Sequence, residues 1–121
     1  MNGTKGKMAE AFKELVCKKS FQKITISDIA KESAMTRENF YYHFRDKFDI
    51  MHWIFEQQVV ENLPPDEESF EAWFNALLCN TFEDYKYYRK LIKSLNEEEV
   101  RKDLYPLFEH RIRILVGECL D

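Results

Sequence analysis

Apolar residues recur every three or four positions along most of the chain, the spacing of helices buried on one side. Met8, Ala11, Phe12, Leu15 and Val16 form the first stripe and predict a helix over about 7–19. Lys18 and Lys19 suit its C-terminal dipole. Ile26, Ile29 and Ala30 make a second, shorter face over about 27–33, with Thr25 as N-cap and Asp28 three residues on. The pattern pauses at Ser33-Ala34-Met35. Thr36 is a second N-cap, and a third helix over about 37–44 aligns Phe40 and Phe44 one turn apart. From Asp46, a third cap, Phe48, Ile50, Met51, Trp53, Ile54, Phe55 and Val59 form a band wider than one stripe, over about 47–62. That helix is expected to be buried on more than one side. Leu63-Pro64-Pro65-Asp66 breaks the chain. Helices over about 67–85, 86–95 and 96–120 follow, the last expected to kink at Pro106.

Three Gly and three Pro in 121 residues leave little for elaborate turns, so the fold class expected is all-α. The length allows one domain, or a small domain with a second lobe, and suffices to bury a core without staples.

The third helix has an unusual outer face. With Phe40 and Phe44 turned inward, Arg37, Glu38, Asn39 and Tyr42 face away, and Tyr41 and His43 lie on the flanks. Core helices do not usually present such a set over two turns. A helix lying in a DNA groove does: its first turn reads base edges, and its later aromatics and His reach phosphates. Arg37 suits a guanine, Asn39 an adenine, and Glu38 a cytosine amino group. Thr25 and Ser27, at the N-terminal end of the second helix, are candidate phosphate contacts. Lys47 stands in the first turn of the fourth helix, where the macrodipole alone disfavours a cation, so a phosphate opposite it is expected.

The stretch Thr25, Asp28-Ile29-Ala30, Thr36, Phe40-Tyr41-Tyr42-His43-Phe44 and Lys47 resembles the helix-turn-helix of the tetracycline-repressor (TetR/AcrR) family of bacterial transcription regulators. The run Y-Y-H-F-R-D-K-F-D-I with W-I-F-E beyond it is similar to the subgroup that regulates dihydroxyacetone kinase operons. One departure is Ala34, where the family usually has Gly, which puts the turn geometry in question. The resemblance implies that Tyr41, Tyr42, His43 and Lys47 contact phosphates or thymine methyls, with a basic N-terminal arm (Lys5, Lys7) as a further candidate. It implies a homodimer on a palindromic operator, and an effector in the rear region that moves the fourth helix. Phe55, Trp73, Phe74, Phe82, Tyr88 and Phe108, with Tyr85 and Tyr87, are the candidate pocket aromatics, although aromatic stripes are more often plain core. The family usually has more helix after this point, so the rear region is expected as a truncated product or a minimal member.

Charge follows the same division. Through Ile50 there are ten Lys/Arg against seven Asp/Glu, and from Met51 onward eight against fifteen. A basic front and an acidic rear suit a DNA-binding head on a body with another task. Cys17, Cys79 and Cys119 have no metal-ligand spacing and read as free thiols of a reducing cytosol. No signal peptide and no membrane-spanning run is expected, so a cytoplasmic protein without membrane contact is. No Gly-rich phosphate loop or G-x-S-x-G is found, and no enzyme or cofactor is expected. His52 and Glu56, one turn apart, lack a third metal ligand nearby in sequence.

The expected architecture is a three-helix DNA-binding head over residues 1–47 (motif about 25–44), a strut helix, and a helical regulatory and dimerisation body over 48–121. The expected function is sequence-specific binding of duplex DNA by a regulator, a repressor by the family's habit, under small-molecule control. Two alternatives stand beside it: a protein-interaction module that does not bind DNA, and a small-molecule or redox sensor remnant.

Overall fold

The computed structural model describes the backbone of residues 3–120 and the side chains of 3–117. Seven α-helices follow one another: α1 (Gly3–Lys18), α2 (Ile26–Glu32), α3 (Arg37–His43), α4 (Lys47–Gln58), α5 (Phe70–Phe82), α6 (Tyr85–Ser94) and α7 (Glu97–Leu120). Two 3-10 turns, Phe21–Lys23 and Val60–Asn62, join α1 to α2 and follow α4. The all-α expectation holds, with no strand among the described residues. None of their helices is long and apolar enough to cross a membrane. Cys119 and Leu120, read as a free thiol and an apolar position of the last helix, lie outside the described side chains.

The ends of the elements follow local chemistry. α1 begins at Gly3, four residues before the start that its periodicity suggested. Gly6 and Met8 are buried, and the Lys5 ammonium lies 5.2 Å from the centre of the Phe44 ring and 5.5 Å from that of Trp53. Those contacts anchor the first two turns. α5 starts at Phe70, three residues later than its periodicity suggested, because the Ser69 hydroxyl accepts the Ala72 N–H and fixes the start there. α7 runs through Pro106 as one helix.

One apolar core runs from Met8, Phe12 and Val16 of α1 through Phe40 and Phe44 to Ile50, Ile54, Trp73, Tyr87 and Leu91. It is continuous across residue 47, the expected limit of the head. α1 packs on α2, α4 and α6, and α2 packs on α3. Phe12 meets Phe21 and Tyr87 edge to face, each at 6.2 Å between ring centres. The Gln22 side chain bonds the Ser94 carbonyl, and Lys13 pairs with Asp84 at the other end of α6. The seat of α6 on the front of the molecule is therefore closed at both ends.

The rear helices are joined by one residue in particular. Arg111 of α7 is 3% exposed, and its guanidinium donates to the carbonyls of Pro64, Pro65, Asp66 and Glu68 in the loop between α4 and α5. It also covers the Trp73 ring at 5.5 Å. A loop rich in Pro has few backbone donors, so its carbonyls need an outside partner, and the five-donor fork of arginine supplies one.

Candidate functional site

The helix-turn-helix is built from its caps. Thr25 Oγ1 accepts the Asp28 N–H at 3.1 Å, and Asp28 Oδ2 accepts the Thr25 N–H at 3.0 Å, closing a capping box on α2. Lys19 Nζ donates to the same Asp28 oxygen at 2.7 Å. The Lys19 bond first, and then those from Thr25, lower the Asp28 carboxyl to about 2. At the other end of α2, the Ala34 N–H donates to Lys31 O and the Met35 N–H to Ala30 O. These are the two bonds of a Schellman motif, with Ala34 at the left-handed position, φ 57°. The turn in which glycine was expected is thus made here by Ala34 in the left-handed conformation.

Thr36 Oγ1 then accepts the Asn39 N–H at 3.0 Å and starts α3 at Arg37. Phe40 is fully buried and Phe44 nearly so, their rings 5.6 Å apart. Around them Arg37, Glu38, Asn39, Tyr41 and Tyr42 are exposed, Tyr42 at 83%. His43 is half-buried, its ring edge-on to Tyr42 at 5.0 Å. The Asn39 amide leans on Met35 Sδ at 3.5 Å. Thr25, Ser27 and Thr36 are exposed as well. The sequence-read residues of the motif therefore share one outward surface, apart from Lys47.

Lys47 turns inward. Its ammonium donates to Phe21 O at 2.7 Å and to Ile24 O at 3.1 Å, and lies 4.4 Å from the centre of the Phe21 ring. Burial pushes it below the ordinary lysine value, with Glu99 pulling the other way. Lys47 was expected opposite a phosphate; here its charge already has partners within the chain. Two backbone carbonyls of the turn leading into α2 supply the negative partner. Sequence reasoning passed over Lys23, a cation exposed on that same turn; its place in a linker two residues before the Thr25 cap was the available signal.

Behind the head, α4 to α7 line an open cleft of about 490 Å³. Phe55, Phe74, Phe82, Tyr85, Tyr88 and Phe108 line it. Trp73 and Tyr87 do not. Trp73 is core, packed edge-on to Phe108 at 5.2 Å beneath Arg111. Tyr87 is sealed against Phe12, its hydroxyl without a hydrogen-bond partner. The Tyr88 hydroxyl donates to Gln58 Oε1 at 3.0 Å. No group of three or more potential metal ligands stands together among the described residues. His52 instead joins α4 to α7, its Nδ1 2.7 Å from Asp103 Oδ1. Cys17 and Cys79 are free and exposed.

A capped pair of short helices presenting the polar face of the second, over a closed apolar core, defines a helix-turn-helix head. Residues 10–52 match the family of bacterial regulatory proteins of the tetR type. Among the proteins that the chain resembles are the DhaS regulators. The chain is 34% identical over 71 residues to the HTH-type dhaKLM operon transcriptional activator DhaS of Lactococcus lactis subsp. lactis (strain IL1403). That match takes in 59% of this chain and 37% of the relative. A solved structure, the dihydroxyacetone kinase operon activator DhaS, superposes with a TM-score of 0.57 at 28% identity. The superposition covers 72% of this chain and 50% of that one. The chain thus matches half or less of the length of either relative.

Proposed function

We propose that this chain is a DNA-binding regulator of transcription in the cytoplasm, with α3 in the major groove of duplex DNA. The observation that carries the reading is the outer face of α3, where Arg37, Glu38 and Asn39 stand exposed in the first turn above a fully buried Phe40. Arg37 and Asn39 are the base-reading residues of the proposal, and Glu38 accepts from a cytosine amino group. Thr25, Ser27, Thr36, Tyr41, Tyr42 and His43 contact phosphates or thymine methyls, which position the helix without specifying sequence. Lys47 is left out of the phosphate set, because its ammonium already has two carbonyl partners. Two copies bind a palindrome, with heads about 34–36 Å apart or a multiple of that. The family's habit suggests repression, whereas the relative's printed name is that of an activator. A helix in the major groove serves either sign, so the proposal is for a regulator.

The cleft is the proposed effector site. Met51 and Phe55 of α4 line it, and only three residues separate the end of α3 from the start of α4. An occupant that shifts α4 therefore shifts the recognition helix. The body, residues 48–121 in this reading, senses, and the head binds.

Selection from a random duplex pool, followed by titration of the enriched sequence at two salt concentrations, tests the proposal. The expected result is an enriched palindrome whose affinity falls steeply with salt. An enriched single half-site would remove the dimer and keep the DNA reading. A folded protein that enriches nothing, or whose binding ignores salt, would overturn it in favour of a protein-interaction module. Lys47→Ala is expected to lower stability and leave the salt slope unchanged.

A further inference from the structure

α6 carries four cations, Lys86, Arg89, Lys90 and Lys93, and no carboxylate. Their spacing of three and four puts them within an arc of about 100°, on the side opposite the buried Tyr87, Tyr88 and Leu91. All four are exposed, and none enters an ion pair among the described residues. A solvated face with balanced charge is seen on α7, where Arg101 pairs with Glu97 and Arg113 with Glu109, each at 2.9 Å and one turn apart. On α6 the neighbours one turn away are other cations, which repel one another. Four of the eight Lys/Arg from Met51 onward stand in this one row, in a region that has fifteen Asp/Glu.

The row leads to the head. α6 runs alongside α1 in the same direction, with Asp84 at its start paired to Lys13 and the Ser94 carbonyl at its end bonded by Gln22. Its C-terminal end therefore meets the turn 21–23, which carries the exposed Lys23 and delivers the chain to the Thr25 cap of α2. Lys93 adjoins Ser94 and Lys23 adjoins Gln22, so basic positions continue across that bond toward Thr25 and Ser27. We propose that α6 is a second DNA contact, its basic row lying on phosphates that flank the base pairs read by α3. The inference rests on the reading of the chain as a DNA-binding protein. A rise of 1.5 Å per residue spreads the four cations over about 10 Å, the length of about three phosphates along one strand. Such contacts add affinity without sequence preference. An acidic protein segment would match the charge alone, whereas a flanking duplex matches the charge and the continuity with the head.

The test uses the full chain and the duplex it enriches, in two lengths: the selected site alone, and the same site with one helical turn, about ten base pairs, added at each end. The parent is expected to bind the longer duplex more tightly and with a steeper salt slope. Replacing the row together (Lys86→Gln, Arg89→Gln, Lys90→Gln and Lys93→Gln) is expected to remove that gain and to lower the slope on the longer duplex by about two units. The selected sequence is expected to stay the same. Lys90→Gln with Lys93→Gln alone is expected to give about half of that loss. A control removes cations of α7 instead (Arg101→Gln, Lys102→Gln and Arg113→Gln) and is expected to keep the gain. All variants are compared once their far-UV dichroism matches the parent. A row variant that keeps the parent's gain and slope would overturn the inference, as would a parent that gains nothing from the added length; either would turn the row toward an acidic protein partner. An equal loss in the α7 control would overturn it too, since net charge and not contact would then set the slope. A parent that binds neither duplex in a salt-dependent way would overturn the DNA reading and this inference together.

Discussion

The front and rear of this molecule solve opposite problems. In the front, α2 and α3 are seven residues each, too short to hold as isolated helices. Every end there has a partner: the Thr25–Asp28 box, the Schellman turn at Ala34, the Thr36 cap, and Asp46 accepting the Asp49 N–H. Phe40 and Phe44 sit in the core, and the exposed aromatics of α3, Tyr41 and Tyr42, carry a hydroxyl. In the rear, α5 to α7 are longer and leave Leu78, Phe82, Ile92, Tyr105 and Ile112 in the open. A surface that must meet a fixed lattice of base edges needs a backbone fixed by caps. A surface that admits an apolar occupant needs side chains with room to move.

The sharpest way to break that contrast uses two phenylalanines. Phe40→Ala removes a ring that is 0% exposed and is expected to cost about 4 kcal/mol. Phe82→Ala removes one that is 69% exposed and is expected to cost less than about 0.5 kcal/mol. Urea unfolding of both variants reads the difference. Similar costs would mean that something covers the rear face in solution.

Arg111 qualifies the picture of a loose rear. Arg111→Ala leaves four carbonyls of the 64–68 loop without their donor, along with a gap over Trp73, and is expected to cost about 3 kcal/mol. Arg111→Lys keeps the charge but loses the fork, and is expected to recover less than half of that. Full stability in the lysine variant would show that charge, and not geometry, ties the loop.

The helices of the front were legible because their signals are local. Thr25 with Asp28, and Thr36 ahead of Arg37, lie within one turn of the bonds they make. The inward pair Phe40 and Phe44 follows from a spacing of four. What was not legible depends on residues far apart in sequence. Lys47 is held by carbonyls 23 and 26 residues earlier, and no spacing rule announces that. Trp73 was correctly read as inward, but periodicity does not separate core from cleft wall; Arg111 above it makes it core. The Lys5 contacts with Phe44 and Trp53, which accompany the earlier start of α1, are likewise remote in sequence. The Ser69 cap was local and simply overlooked.

Ala34 gives a smaller effect with the opposite sign. An L-residue in the left-handed region costs about 1–2 kcal/mol, and glycine there costs about 0.5–1 kcal/mol in chain entropy. Ala34→Gly is therefore expected to stabilise the protein by about 0.5–1 kcal/mol, seen as a higher urea midpoint with an unchanged slope. A lower midpoint would mean that the alanine methyl makes a compensating contact.

The smallest effect separates front from rear by pH. The Asp28 carboxyl is lowered to about 2 by Lys19 and by the Thr25 box, below its ordinary 3.8. A depressed carboxyl stabilises the fold at pH values above its unfolded value, and that stabilisation fades as pH falls from about 4 toward 2. Asp28→Asn removes the charge while keeping the shape of the side chain. The parent is expected to unfold at higher urea than the variant at pH 6, and the gap should close between about pH 4 and pH 2. Because the box anchors α2, amide exchange in α2 and α3 should quicken over the same window before exchange in α6 does. A gap that stays constant with pH would mean that Asp28 acts through packing alone. Exchange that quickens equally in α6 would mean that front and rear open as one unit, as their shared core through Phe12 and Tyr87 permits.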